Sequence, residues 1–212
     1  MSKIRVCNSK LMFSSLFFIL LLAPSLAQSA SSGIGDDAEN GCLCHGSKSQ
    51  STIVTIEGLP QQWVANQTYD MAIIINSTIE QSQDIDASLG GFRLMIDDGL
   101  VLFEESNYSQ IIDEGYTHTS QGNAFLQWNF TWTAPASNDT VVTFVAHGNA
   151  VNSDQQTTGD AWNYHSSSVA GEGFTGVIEE PPNYSGDIGN SEIALLIFAA
   201  ISLIGLFYYS TK

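Results

Sequence analysis

The chain has 212 residues, 13% of them charged, with 22 acidic against six basic side chains and a formal net charge of −16. That length accommodates one domain of ordinary size with appended segments. The sign of the charge argues against nucleic-acid binding, because phosphate recognition needs clustered Lys and Arg.

Residues 1–27 open with Lys3, Arg5 and Lys10, continue as an apolar run over 11–23 and end on the small residues of Ser25-Leu26-Ala27. A basic start, a short apolar run and a small-residue cleavage site describe a secretory signal peptide better than an N-terminal transmembrane helix. Cleavage leaves three basic residues against 22 acidic ones, a formal charge of −19. Such a surface repels anionic lipid and attracts cations, and its plainest role is solubility in a salty outside medium. Cys7 leaves with the signal, so only Cys42 and Cys44 remain and a disulfide between two sheets of the mature domain is excluded. Six Asn-x-Ser/Thr sequons, at Asn66, Asn76, Asn107, Asn129, Asn138 and Asn183, fit an exported glycoprotein.

Residues 28–50 are rich in Gly and Ser, which predicts a flexible lead-in. Within it lies Asn40-Gly41-Cys42-Leu43-Cys44-His45-Gly46. Covalent haem attachment needs two thiols and an adjacent iron-ligating His, usually as Cys-x-x-Cys-His. Here the spacing is one residue shorter, and thiols at i and i+2 point to opposite sides of an extended chain unless a tight turn intervenes. Gly41 and Gly46 permit such a turn. Cys42, Cys44 and His45 are therefore candidate ligands for a c-type haem or a transition metal such as zinc or copper, with His118 as a further ligand. The alternatives are a disulfide, local or between molecules, and a site without a cofactor.

The β-rich region begins at residue 51. Strands are predicted over 53–57, 69–76, with Met71, Ile73 and Ile75 on one face, and 89–96, around Phe92, Leu94 and Ile96. Asp97-Asp98-Gly99 signals a hairpin returning over 100–103. Residues 104–122 are mostly polar and read as a long loop ending near His118. From 126 to 132, Leu126, Trp128, Phe130 and Trp132 alternate with Gln127, Asn129 and Thr131, and Pro135 closes the strand. Residues 141–146 follow, with Val142, Phe144 and Ala146 on one face. The two strands are expected to form an antiparallel pair with an aromatic inner face. A short aromatic segment over 161–164 and a last strand over 174–178 bring the count to about eight.

Trp128 with Trp132-Thr133-Ala134-Pro135, Val142-Thr143-Phe144, Gly148-Asn149-Ala150-Val151-Asn152 and Gly159-Asp160 follow Gly91-Phe92-Arg93-Leu94 and Thr117-His118-Thr119 in order. This succession over 51–178 resembles the Reeler domain of reelin and spondin-like extracellular proteins. The resemblance implies an all-β fold, an immunoglobulin-like antiparallel β-sandwich. The chain also resembles small microbial surface proteins that join this domain to a Cys-His motif and a C-terminal anchor. Some of those carry Cys-x-x-Cys-His, which favours the haem reading.

His118, His147 and His165 are expected as loop or surface hydrogen-bonding residues. Trp128, Trp132 and Trp162 are expected in the core. The acidic pairs 97–98, 104–105 and 113–114 match no calcium-loop pattern. No triad order, phosphate loop or His-Glu-x-x-His motif is present, so the sequence does not point to an enzyme. Residues 179–192 read as a stalk. Residues 193–209, free of charge and ending in Tyr208 and Tyr209, read as a single C-terminal transmembrane helix before a cytoplasmic tail at 210–212. Two functions follow. One is a membrane-anchored cell-surface module that binds an extracellular protein or glycan. The other is an extracytoplasmic electron carrier with a haem or metal at Cys42, Cys44 and His45.

Overall fold

The computed structural model describes residues 31–38, 40–45, 48–84, 86–154, 156–184 and 190–211. The expected signal segment at 1–27 and Lys212 lie outside them. Nine strands occur among the described residues: β1 (Thr52–Glu57), β2 (Thr68–Ser77), β3 (Gly90–Ile96), β4 (Leu100–Phe103), β5 (Ser109–Ile112), β6 (Gly115–His118), β7 (Gln127–Thr133), β8 (Val141–Ala150) and β9 (Ala161–Ala170). They form two antiparallel sheets, of order β1-β2-β7-β4 and β5-β6-β3-β8-β9.

Period-two patterning places the core between the sheets. Val54 and Ile56 from β1, Met71, Ile73 and Ile75 from β2, and Trp128, Phe130 and Trp132 from β7 are buried against Phe92, Leu94, Val142, Phe144 and Ala146 of the facing sheet. Trp132 meets Phe144 edge-on, with ring centroids 4.9 Å apart, and Trp63 at 6.3 Å.

Two expected pairings are corrected. β7 and β8 do not pair; they lie in opposite sheets. β2 and β4 occupy both edges of β7, with Ile73 opposite Trp128 and Val101 opposite Trp132. β3 and β9 occupy both edges of β8. The aromatic inner face is real, but its partner stands across the core. The Asp97-Asp98-Gly99 turn likewise joins β3 to β4 in the other sheet, so it is a corner rather than a hairpin. Gly99 has φ +99, and the Trp132 indole N–H donates to the Asp98 carbonyl at 3.0 Å. A side chain on Gly99 overlaps that indole.

The expected loop at 104–122 contains the hairpin β5–β6, and the aromatic segment at 161–164 extends to Ala170. No strand forms over 174–178; the Phe174 amide closes a turn on Gly171.

The outer face of the five-stranded sheet is covered, which corrects the loose lead-in and part of the stalk. Ile34 N–H donates to Thr117 Oγ1 at 3.2 Å, and Asp36 lies 3.6 Å from the Arg93 guanidinium. Ala38 is fully buried, and Gly41 (φ +108) packs against Trp162 where no Cβ fits. Lys48 Nζ donates to the Tyr184 carbonyl at 3.0 Å and sits 4.9 Å from the Tyr164 ring centre. From the other side, Ser166 Oγ donates to the Pro182 carbonyl and Tyr164 OH to Asn183 Oδ1, each at 2.7 Å. Tyr184 closes on His147 with ring centroids 4.6 Å apart. Under this cover His147, expected near the surface, is fully buried on β8, and His118, expected in a loop, is buried at the end of β6. His165 is partly buried on β9, and burial lowers its pKa despite an opposing backbone hydrogen bond with Val54.

A separate unit holds helix α1 (Asn190–Thr211). The transmembrane expectation for 193–209 is corrected. Among the described residues no helix is long and apolar enough to cross a membrane.

Candidate functional site

The cysteine–histidine segment lies over the end of the five-stranded sheet. A single 3-10 turn, Leu43–His45, follows Gly41, and its closing hydrogen bond runs from the His45 amide to the Cys42 carbonyl at 2.9 Å. The turn places the two thiols in different surroundings. Cys42 is 8% exposed, whereas Cys44 is open to solvent; both are free. Burial, and secondarily the neighbouring Cys44, push the Cys42 thiol up to about 12, so it stays protonated at neutral pH.

His45 is held by two groups. Its Nδ1 lies 2.7 Å from Asp160 Oδ2, and the Asp160 side chain is 3% exposed. The other carboxylate oxygen accepts the Asn152 amide at 3.0 Å. With a proton on Nδ1, Nε2 is left as an acceptor for the Asn149 side-chain amide, 3.3 Å away. Asp160 at the foot of β9 and Asn149 at the end of β8 thus fix the imidazole from the sheet. Both residues stood in the sequence within the motifs of the Reeler resemblance, with no signal pairing them with His45 more than a hundred positions earlier.

Cys42, Cys44, His45 and His118 line one cleft, with Phe92, Asn123 and Asn149. The cleft encloses about 70 Å³. His118 Nδ1 accepts the Phe92 amide at 3.2 Å, and its ring occupies the space a Cβ on Gly91 needs. The four residues singled out in the sequence thus lie around one cleft.

Their chemistry does not fit a covalent haem. One thiol is buried and protonated while the other faces water, so they are not the matched, accessible pair that covalent attachment uses. His45 Nε2 already takes the Asn149 amide. Among the described residues no group of three or more His, Cys, Asp or Glu side chains is placed to hold a metal ion.

The sequons fall mostly on open surface. Asn66, Asn76, Asn107, Asn129 and Asn183 are exposed, and Asn138 is half-buried.

The chain is similar to the Reeler domain of human F-spondin. One crystal structure of that domain matches with 11% identity and a TM-score of 0.39, covering 60% of this chain and 96% of the other. The chain also matches a conjugative transposon lipoprotein from Bacteroides eggerthii, with 14% identity, a TM-score of 0.34 and coverage of 56% and 97%. AggA, the major subunit of aggregative adherence fimbriae type I from Escherichia coli, matches with 10% identity and a TM-score of 0.34, covering 57% and 94%. No family model matches the chain, and no curated protein does.

Proposed function

We propose that the chain is an extracellular binding module of the adhesion type, a β-sandwich displayed at the cell surface and attached to lipid through its terminal helix. The observation that carries this reading is the surface of α1. Leu195, Leu196, Ile197 and Phe198 are consecutive and 69, 60, 56 and 70% exposed. Successive helical residues are about 100° apart, so four in a row encircle the helix. No polar face is left for water, as an amphipathic helix packed on a protein surface would keep. Such a helix needs an apolar surrounding on every side, and lipid supplies one.

The expected signal segment, the exposed sequons and the acidic surface support placement outside the cell. The ligand in this reading is an extracellular protein or glycan.

Phase separation in detergent tests the attachment. The full chain is expected in the detergent phase, and a chain lacking 190–212 in the aqueous phase. A full chain recovered in the aqueous phase overturns the attachment.

A further inference from the structure

A second groove lies away from the cysteine–histidine cleft, where β4 leaves its sheet. It is lined by the aromatic Phe103, Tyr108, Phe125 and Trp128, by Gln127 and the sequon residue Asn129, and by the exposed Glu104 and Glu105. Its volume is about 190 Å³. The Tyr108 and Phe125 rings lie 4.6 Å apart, and Phe125 is 38% exposed.

The groove is built rather than incidental. The Gly122 carbonyl accepts both the Trp128 indole N–H at 3.1 Å and the Phe125 amide at 3.3 Å. The Tyr108 backbone runs so close to Gly122 that no Cβ fits between them. The Tyr108 amide donates to the Glu105 carbonyl at 3.0 Å, and its carbonyl accepts the Thr119 amide at 3.1 Å. One glycine thus sets three of the aromatic residues, and one backbone hydrogen bond ties Tyr108 to Glu105. The Asn129 side-chain Nδ2–H donates to Glu104 Oε2 at 3.2 Å.

Charge decides what fits. Between residues 31 and 211 the only Lys and Arg are Lys48 and Arg93. Arg93 is buried against the Ile112 and Asp113 carbonyls, and Lys48 is engaged by Tyr184 and Tyr164. Neither lines this groove, so its glutamates have no cation of the chain's own beside them. An aromatic wall with carboxylates at its lip attracts a cation through the ring faces and the rim charge together.

We propose that this groove receives a lysine or arginine side chain from a basic segment of a partner protein. The proposal deepens the binding-module reading and rests on it; it assigns that module a contact site and the chemistry of its partner. The Lys or Arg stem packs on Tyr108 and Phe125 while the charged head meets Glu104 and Glu105.

The test uses the full chain in detergent, made without N-glycans, and a labelled Lys-Gly-Lys-Gly-Lys peptide followed by fluorescence anisotropy. The wild type is expected to bind it, and the same peptide with acetylated lysines to bind at least about fivefold more weakly. Phe125→Ala with Tyr108→Ala, and separately Glu104→Gln with Glu105→Gln, are expected to weaken binding by about fivefold or more. Asp139→Asn with Glu172→Gln, which removes two exposed charges at the other end of the sandwich, is expected to stay within about twofold. Unfolding midpoints identify variants that fold; the glutamate pair, on the surface, keeps the test valid if the aromatic pair does not. Equal weakening by the distant pair, equal binding of the acetylated peptide, or no binding by the wild type overturns the proposal. None of these results bears on detergent partition, so the two readings fail separately.

Discussion

Acidification is expected to unfold this protein through His147. The ring is fully buried, neither nitrogen has a hydrogen-bond partner among the described residues, and Trp162, Tyr164 and Tyr184 surround it. Burial, and secondarily Arg93, push its pKa down from 6.5 to about 4. In the unfolded chain the imidazole takes up a proton as pH falls through 6.5, while in the folded chain it stays neutral until about 4. The unfolded state then binds more protons, so stability falls with pH across that window and is unaffected well above it. At about 1.4 kcal/mol per pKa unit, the loss approaches roughly 3 kcal/mol by pH 4. His147→Phe keeps a ring against Tyr184 and removes both unpaired nitrogens. Urea unfolding of the full chain in detergent, followed by tryptophan fluorescence at pH 7.5 and 4.5, compares the two proteins, and the carboxylates and His165 act in both. The wild type should lose about 2–3 kcal/mol more than the variant. Equal losses would refute the reasoning and mean that the imidazole is reached by water or protonated in the folded state.

Trp132→Ala should destabilise the sandwich by about 3–5 kcal/mol, because the ring is fully buried against Trp63, Tyr69 and Phe144; an unchanged unfolding midpoint contradicts that placement. Only Cys44 of the two described thiols should react with a water-soluble thiol reagent in the native protein at pH 7.5, with Cys42 reacting after denaturation, as read by intact mass. Gly41→Ala should loosen the lead-in, because Gly41 has φ +108 and its Cβ meets Trp162; proteolysis near residue 45 should quicken in the native variant and not in the wild type.

The elements were legible where side chains alternate sharply. Trp128, Phe130 and Trp132 announced β7, and Val142, Phe144 and Ala146 the start of β8. Their assignment to sheets was not legible, because alternation says which face is buried and not which strand lies beside it. Asp98-Gly99 carries the signal of a hairpin and serves as a corner, since a tight turn leads equally well to the next strand or the facing sheet. β5 and β6 escaped notice because Ser109, Gln110, Thr117 and His118 dilute their pattern. The Ser166-Ser167-Ser168 run concealed the far half of β9, where the tail and lead-in cover polar side chains. Around the candidate cleft, the Cys-His motif was visible in the chain, but the Asp160 and Asn149 contacts to His45 were not, because they depend on how β8 and β9 end. Composition also suggested a loose lead-in, whereas Ala38 and Cys42, beside the short turns Asp36–Ala38 and Leu43–His45, are buried.

Protease accessibility on intact cells of the native host tests the proposed display most directly. With the membrane unbroken, added protease is expected to remove the sandwich, as followed by an antibody against residues 51–178, while a cytoplasmic marker stays whole. A sandwich that resists protease until the cells are lysed, and is cut readily afterwards, would contradict the account.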